Sequence, residues 1–145
     1  LDFELNRAVT DCYGGAVATG ENLFSVPDVV NLVRYGGMRA NRDIFQMDAG
    51  LSYGLCEYAR MLEVLEAHGF DRRFAYPHGG HLINLHIAAG LGLGGCESYP
   101  GVFQPFGGYA DGCVPVDGRI APTDAPGFGL ERKAGLAEAI AELTA

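Results

Sequence analysis

Short apolar segments alternate with helical patterns over the first hundred residues, and this alternation is the strongest constraint on the fold. The predicted strands are 15–20, 42–48, 73–76 and 96–99, and the predicted helices between them are 28–35, 52–68 and 81–91. Because a helix separates each strand from the next, the strands are expected to run parallel with right-handed crossovers. The predicted fold class is therefore α/β.

The spacing of the predicted strands fits part of a closed barrel. Successive units take roughly 20–30 residues, whereas an eight-unit (β/α) barrel needs about 250 residues in all. Four such units make half of a TIM-like barrel, and an open doubly wound sheet is the competing architecture. Glycine accounts for 22 of the 145 residues, which suits close-packed strand ends and tight turns.

The sequence changes character after residue 100. Segments 113–116 and 119–121 are joined at Asp117-Gly118, a dipeptide typical of a β-hairpin, and 134–143 has the apolar spacing of an amphipathic helix. We therefore predict two parts, a partial barrel over 1–100 and a hairpin and helix tail over 101–145.

Charge and composition exclude several classes of protein. Eighteen acidic residues against ten basic ones give a net charge of −8, which opposes binding to nucleic acid. Four cysteines without a C-x-x-C pair predict reduced thiols in a cytoplasmic protein. The sequence has no apolar run near the roughly 18 residues that a membrane span requires, so we expect no membrane partner.

A polar residue lies at or near the end of each predicted strand. These residues are Glu21, Asp48, His78 and Glu97. The carboxyl ends of parallel strands converge on one rim, where active sites are built. Carboxylates there could bind Mg²⁺, and the pair Asp48 and His78 could pass protons. The alternative is that each residue simply meets water where its strand ends.

His81 follows His78 by three residues and could form an H-x-x-H metal pair with it. No third ligand lies nearby in the sequence, so a histidine at the start of a helix is the simpler interpretation.

Several motifs in order resemble the mandelate racemase branch of the enolase superfamily. They are Ala-Thr-Gly-Glu-Asn-Leu-Phe-Ser at 18–25, Ile-Phe-Gln-Met-Asp at 44–48, Leu-Ser-Tyr-Gly-Leu-Cys-Glu-Tyr at 51–58, Pro-His-Gly-Gly-His at 77–81, Ala-Ala-Gly-Leu-Gly-Leu-Gly-Gly at 88–95, Glu-Ser-Tyr-Pro at 97–100 and Pro-Gly-Phe-Gly at 126–129. The resemblance implies a (β/α)7β barrel closed by an α+β capping domain. This chain would supply the last four strands and a tail that joins the cap.

The resemblance also implies roles for particular residues. Glu21 matches the third carboxylate ligand of an essential Mg²⁺, and Asp48 matches the partner of the catalytic histidine, His78. Glu97 matches a glutamate near the substrate, and Asn22, beside the metal ligand, is a second candidate for substrate binding. The base lysine and the first two metal ligands would precede residue 1, so the 145 residues alone are expected to be inactive.

The implied reaction is the dehydration of an acid sugar, with D-tartrate giving oxaloacetate. A proton alpha to a carboxylate is removed, Mg²⁺ stabilises the enediolate, and His78 protonates the departing hydroxyl. The alternatives are another acid-sugar dehydratase, a racemase, or a non-catalytic half barrel that only self-associates. Lys133 is the only lysine and lies in the tail, which favours the last alternative for the isolated chain. The intact protein is expected to be a homo-oligomer.

Overall fold

The computed structural model of the protein describes residues 2–145. Its helices and strands are, in order, α1 Phe3–Cys12, β1 Ala18–Thr19, α2 Val26–Tyr35, β2 Ile44–Phe45, α3 Gly54–Ala67, α4 Leu82–Leu91 and α5 Leu136–Thr144. Short 3-10 helices occupy Arg72–Phe74 and Leu130–Arg132. The α/β class is confirmed, and none of the helices within residues 2–145 combines the length and apolar content needed to cross a bilayer.

The first two predicted strands form a short parallel pair. Ala18 lies opposite Ile44 and Thr19 lies opposite Phe45, and helix α2 makes the crossover between them. A single parallel bridge between Phe45 and Ala75 extends the sheet on its other side. The predicted parallel order is therefore present, although the ladders are much shorter than predicted.

The predicted strand at 73–76 is wrong, because Arg72–Phe74 is a 3-10 helix. The side chain of Asp71 accepts a hydrogen bond from the backbone N–H of Arg73 at 2.8 Å, which favours a helical turn at this point. Only Ala75 and Tyr76 continue in extended form, and the Tyr76 N–H donates to the carbonyl of Phe45 at 2.9 Å.

The predicted strand at 96–99 is also wrong, since the structure has no strand there within the described residues. The segment nevertheless lies beside the third one. The Gly94 N–H donates to the Ala75 carbonyl at 3.2 Å, and the Glu97 N–H donates to the Pro77 carbonyl at 3.1 Å. These widely spaced bonds carry Glu97 to the same end of the sheet as Asp48 and His78 without building a regular ladder.

The main core lies where helices α2 and α3 cover the sheet. Helix α3 buries residues at steps of three and four, the pattern that identified it in the sequence. The largest buried side chains in this cluster are Leu23, Val29, Leu32, Phe45, Met47, Tyr58, Met61, Leu62 and Leu65. A second, smaller cluster of Leu82, Leu85, Tyr109 and Ala110 fixes the start of the tail against α4.

Helix α1 was not predicted, and an ion pair holds the connection that follows it. The guanidinium of Arg39 donates two bonds to the carboxylate of Asp43 and further bonds to the carbonyls of Thr10, Tyr13 and Gly15, at 2.7–3.0 Å. One side chain thereby satisfies carbonyl groups at the end of α1 and in the turn that leads into β1.

The tail contains the predicted hairpin turn and terminal helix. Val116 and Arg119 form an antiparallel bridge, and both Asp117 and Gly118 have positive φ angles, as a tight hairpin requires. Lys133 is 5% exposed, and its Nζ donates to Oε1 of Gln104 at 2.8 Å. Within the tail, this bond connects the residue that follows the 3-10 helix Leu130–Arg132 to the loop formed by residues 100–108.

We expect Gly94→Ala to destabilise the fold and Gly90→Ala to stabilise it. A Cβ on Gly94 would lie 2.0 Å from the Arg73 carbonyl oxygen, so the two segments must separate, at a cost of about 1–3 kcal/mol. Gly90 lies in α4 with open space around it, and alanine there should add about 0.5–1 kcal/mol. Urea unfolding of both variants measures the difference, and equal midpoints would contradict this account of the close approach.

Candidate functional site

Asp48 is the most constrained polar residue at the rim of the sheet. It follows β2, is 4% exposed, and its Oδ1 accepts bonds from His81 Nε2 at 2.9 Å, Asn84 Nδ2 at 2.8 Å and the Gly50 N–H at 2.7 Å. Burial acts to raise the pKa of Asp48, but these three hydrogen bonds outweigh it and lower the pKa below its ordinary value. Asp48 is therefore a carboxylate at neutral pH.

His78 lies between two carboxylates. Its Nδ1 is 3.8 Å from Oδ2 of Asp48, and its Nε2 is 3.8 Å from Oε2 of Glu97. Neither distance is a hydrogen bond, and Nδ1 is buried without a partner among residues 2–145. The structure thus brings together three of the residues that the sequence placed at strand ends, with His78 open to solvent over a third of its side chain.

Glu97 is held in place by donors from three segments. Its Oε1 accepts from Gln46 Nε2 at 2.7 Å, and its Oε2 accepts from the Gly79 N–H at 3.1 Å and from the hydroxyl of Tyr99. The bond to Glu97 raises the pKa of Tyr99 to about 12, with smaller contributions from burial and from the charges of Glu97 and Glu21. Glu97 acts as the acceptor in all three bonds, so both of its carboxylate oxygens are fixed in position.

Asn84 and His81 complete the polar cluster, and the sequence did not identify Asn84. His81 is the N-cap residue of α4, which confirms the simpler interpretation of the H-x-x-H spacing. Asn84 is 0% exposed and lies on the first turn of that helix. Its signal in the sequence is a single amide within a helix that is otherwise apolar on most sides, because such a group needs polar partners in the interior.

A hollow of about 620 Å³ opens beside the histidine. Its polar side is formed by Asp48, His78, His81 and Tyr99. Its other side is apolar and consists of Leu51, Val102, Phe103 and Phe106, all of which are exposed. A ligand in this hollow would meet proton-transfer groups at one end and a hydrocarbon wall at the other.

Glu21 and Asn22 lie outside this cluster. Glu21 follows β1 after Gly20 and is half-buried, and its charge contributes to the raised pKa of Tyr99. Asn22 is exposed. Neither side chain donates to or accepts from Asp48, His78 or Glu97 in the part of the chain that the structure describes. Their roles as metal ligand and substrate contact stay predictions.

The residues present do not by themselves form a magnesium site. Within residues 2–145, no three His, Cys, Asp or Glu side chains are grouped closely enough to hold one metal ion. Magnesium prefers several oxygen ligands, and Glu21 supplies one carboxylate.

The fold is similar to those of larger solved proteins. L-talarate dehydratase from Polaromonas sp. JS666, solved with Mg and L-glucarate, is 22% identical with a TM-score of 0.72, and the match covers 94% of this chain and 36% of that one. A mandelate racemase/muconate lactonizing enzyme from Polaromonas sp. JS666 is 23% identical with a TM-score of 0.72, covering 95% and 35%.

A third structure of similar fold is an enolase from Agrobacterium radiobacter, solved with Na and L-malate. It is 20% identical with a TM-score of 0.66, and the match covers 91% of this chain and 39% of that chain. This chain therefore spans between 35% and 39% of the length of the three structures. The family described as enolase C-terminal domain-like matches residues 2–135. The chain thus belongs to the enolase C-terminal domain-like family of the enolase superfamily.

Proposed function

We propose that the full-length protein carrying this chain is an acid-sugar dehydratase and that His78 is its general acid. The observation that carries the proposal is the position of His78, which faces Asp48 through Nδ1 and Glu97 through Nε2 beside an open hollow. A histidine held between carboxylates can carry a proton near neutral pH. One structurally similar protein is a dehydratase solved with an acid sugar, which supports the reaction class.

The chain's own residues account for one half of the reaction. As the ring of His78 approaches Asp48, its Nδ1–H donates to Oδ2 and fixes the imidazolium, and Nε2 delivers its proton to the leaving hydroxyl. The carbon–oxygen bond breaks and water departs. The electron pair for the new double bond comes from the carbon that has lost its alpha proton to a base outside the described residues. The resulting enol then tautomerises to the keto acid.

We propose D-tartrate as the preferred substrate, with oxaloacetate as product. The hollow beside His78 has few polar side chains, and Val102, Phe103 and Phe106 form an apolar wall in its lining. A longer polyhydroxy diacid would press hydroxyl groups against this wall without hydrogen-bond partners, which is unfavourable. The wall therefore favours a four-carbon diacid, the size class of the L-malate that one similar structure holds.

We propose that residues 1–100 supply the last four units of a barrel and that 101–145 return toward a capping domain in a homo-oligomeric protein. The support is exposed apolar surface on the tail. Val114 and Val116 of the hairpin are 69% and 64% exposed, and Leu143 of α5 is 75% exposed. Apolar side chains left this exposed are consistent with a packing partner for the tail.

We expect the full-length protein with Mg²⁺ to release keto acid from D-tartrate faster than from any other acid in a panel. The panel contains L-tartrate, meso-tartrate, L-malate, galactarate and L-glucarate, and product is followed as its hydrazone. Removing Mg²⁺ with a chelator is expected to stop the reaction, as the predicted role of Glu21 requires.

Other outcomes of this assay decide between the alternatives. Keto acid from six-carbon diacids alone would contradict D-tartrate but keep the dehydratase. Inversion of a substrate without keto acid would replace the dehydratase by a racemase, because His78 would then return its proton to carbon. No turnover of any acid would favour a non-catalytic protein.

A further inference from the structure

Asn84 connects the two residues of the proposed proton-transfer pair. Its Nδ2 donates to Oδ1 of Asp48 at 2.8 Å and to the backbone carbonyl of His78 at 2.5 Å, and its Oδ1 accepts from the Ala49 N–H at 3.3 Å. The side chain is fully buried and uses both of its amide hydrogens. It is thus bonded to the loop that carries Asp48 and to the segment that carries His78.

The partners of Asn84 fix the orientation of its amide. Two of the groups close to Nδ2, a carboxylate oxygen and a carbonyl oxygen, can only accept, and the group facing Oδ1 is an N–H that can only donate. The third neighbour of Nδ2 is His81 Nε2 at 3.0 Å, which shares Oδ1 of Asp48 with it. Exchanging the amide nitrogen and oxygen would therefore break all three bonds.

The same logic fixes the proton on His81. Its Nδ1 accepts from the backbone N–H of Asn84 at 3.4 Å, so the neutral ring carries its proton on Nε2 and donates it to Oδ1 of Asp48 at 2.9 Å. Asn84 and His81 both occupy Oδ1, and Oδ2 is left facing His78 Nδ1 at 3.8 Å. Oδ1 of Asp48 thus fixes the carboxylate in position, and Oδ2 faces His78.

We propose that Asn84 is a positioning residue that sets the distance and orientation between Asp48 and His78, with His81 as its helper on the same oxygen. The proposal rests on the proposed function only in assigning proton transfer to His78, and the contacts stand without it. Asn84 touches no part of the open hollow, so it acts through the other two side chains rather than on a substrate.

If Asn84 only stabilised the start of α4, replacing its side chain would not alter the relation between Asp48 and His78. Asn84 lies on the first turn of α4, and its backbone N–H donates to Nδ1 of His81, the N-cap residue of the helix. That cap survives when the side chain alone is changed. Any change at His78 therefore reports the lost side-chain bonds and not a lost helix end.

The variant for the test is Asn84→Leu, which is similar in volume and has no donor. We expect kcat of the full-length protein with D-tartrate to fall about 100-fold with KM within about twofold, since displaced supporting groups typically cost 10–100-fold. Asn84→Ser keeps one donor in a smaller side chain, so its kcat should lie between those of the parent and Asn84→Leu. This variant serves as the test if Asn84→Leu fails to fold. Ile87→Val, on the same helix and 2% exposed, is the matched control and should match the parent.

The second readout is the ring nitrogen spectrum of the histidines, which needs no turnover. The groups facing His78 are Asp48 after β2 and Glu97 and Tyr99 after α4. His81, at the start of α4, contacts the same carboxylate of Asp48. In the parent we expect the neutral ring of His78 to carry its proton on Nδ1, next to Asp48. In Asn84→Leu we expect His78 to show both tautomers, whereas His81 keeps its proton on Nε2.

Two results would overturn the proposal. One is a His78 tautomer that stays unchanged in Asn84→Leu, whatever happens to kcat. The other is a kcat of Asn84→Leu within twofold of the parent in an active protein. If the parent has no activity, the proposed function fails by itself and the nitrogen spectra alone decide the role of Asn84.

Discussion

Replacing His78 by asparagine is expected to lower kcat of the full-length protein 10²–10⁴-fold, the range that loss of a general acid costs. That range corresponds to about 3–5 kcal/mol of transition-state stabilisation. Asparagine is close to histidine in size but cannot deliver a proton to the departing hydroxyl. KM is expected to change little, because the ring acts on the leaving group and not on the whole substrate.

The control for this experiment is His68→Asn. His68 is exposed at the end of α3, where Nδ1 lies 2.8 Å from the Val64 carbonyl, and it has no contact with the hollow. Its variant should keep the parent kcat. A His78→Asn protein that turns D-tartrate over at the parent rate would remove His78 from the mechanism, and so would an equal loss in the two variants.

Replacing Asp43 by alanine is expected to cost about 3 kcal/mol of folding stability, since removing one partner of a buried ion pair leaves the other without compensation. Asp43 is 0% exposed, and its carboxylate accepts four bonds, from Arg39 Nε and Nη2 and from the backbone N–H groups of Val17 and Arg39. The free energy of unfolding of a domain of this size is typically 5–15 kcal/mol, so the loss is a large fraction of the total stability.

The matched control is Asp71→Ala, an aspartate paired with an arginine at the surface. Arg73 is 75% exposed in that pair, so solvent screens the interaction and the loss should be much smaller. Urea unfolding of both variants with the parent gives the comparison. Equal losses would show that the Asp43 pair does not hold the connection between α1 and β1.

The contribution of Asp43 should also depend on pH in a defined direction. Burial acts to raise its pKa, but the bonds from Arg39 and the backbone outweigh burial and lower it. A carboxyl whose pKa is lowered by folding stabilises the protein above its unfolded value of about 3.9, and this stability is lost as the pH falls through the folded value. The difference between the parent and Asp43→Ala should therefore be full at pH 7 and narrow in acid below pH 4.

The longer helices could be predicted from the sequence because the apolar periodicity that identifies them lies within the helix sequence itself. The 52–68 pattern became Gly54–Ala67, and 81–91 became Leu82–Leu91 with His81 as its cap. Periodicity over three or more turns records which side is buried, whatever the partner. Helix α1 was not predicted, although Asp2 accepts from the Leu5 N–H as an N-cap.

The conformations of segments 73–76 and 96–99 could not be predicted, because such short segments take their structure from their neighbours. Residues 72–74 form a 3-10 helix in which the Asp71 side chain accepts from the Arg73 N–H and the Asp71 carbonyl accepts from the Phe74 N–H. The 96–99 segment is placed by the close approach of Gly94 to the Arg73 carbonyl. Sequence spacing placed Glu21, Asp48, His78 and Glu97 at one rim, and the structure brings the last three together although 73–76 and 96–99 are not strands. It could not show that Asp48 bonds to His81 and Asn84, because those contacts depend on how α4 is rotated.

The buried lysine has a consequence for chemical labelling. Lys133 is the only lysine among these 145 residues, so an acylating reagent that modifies side-chain amines has one target in this part of the protein. That amine is shielded and bonded to Gln104, whose loop forms the apolar wall beside His78. Acylation of Lys133 requires the segment that carries it to separate from the loop at 100–108 first. The rate at which a single acyl group is incorporated would therefore measure how often the wall of the hollow comes loose, without any label being placed in the site itself.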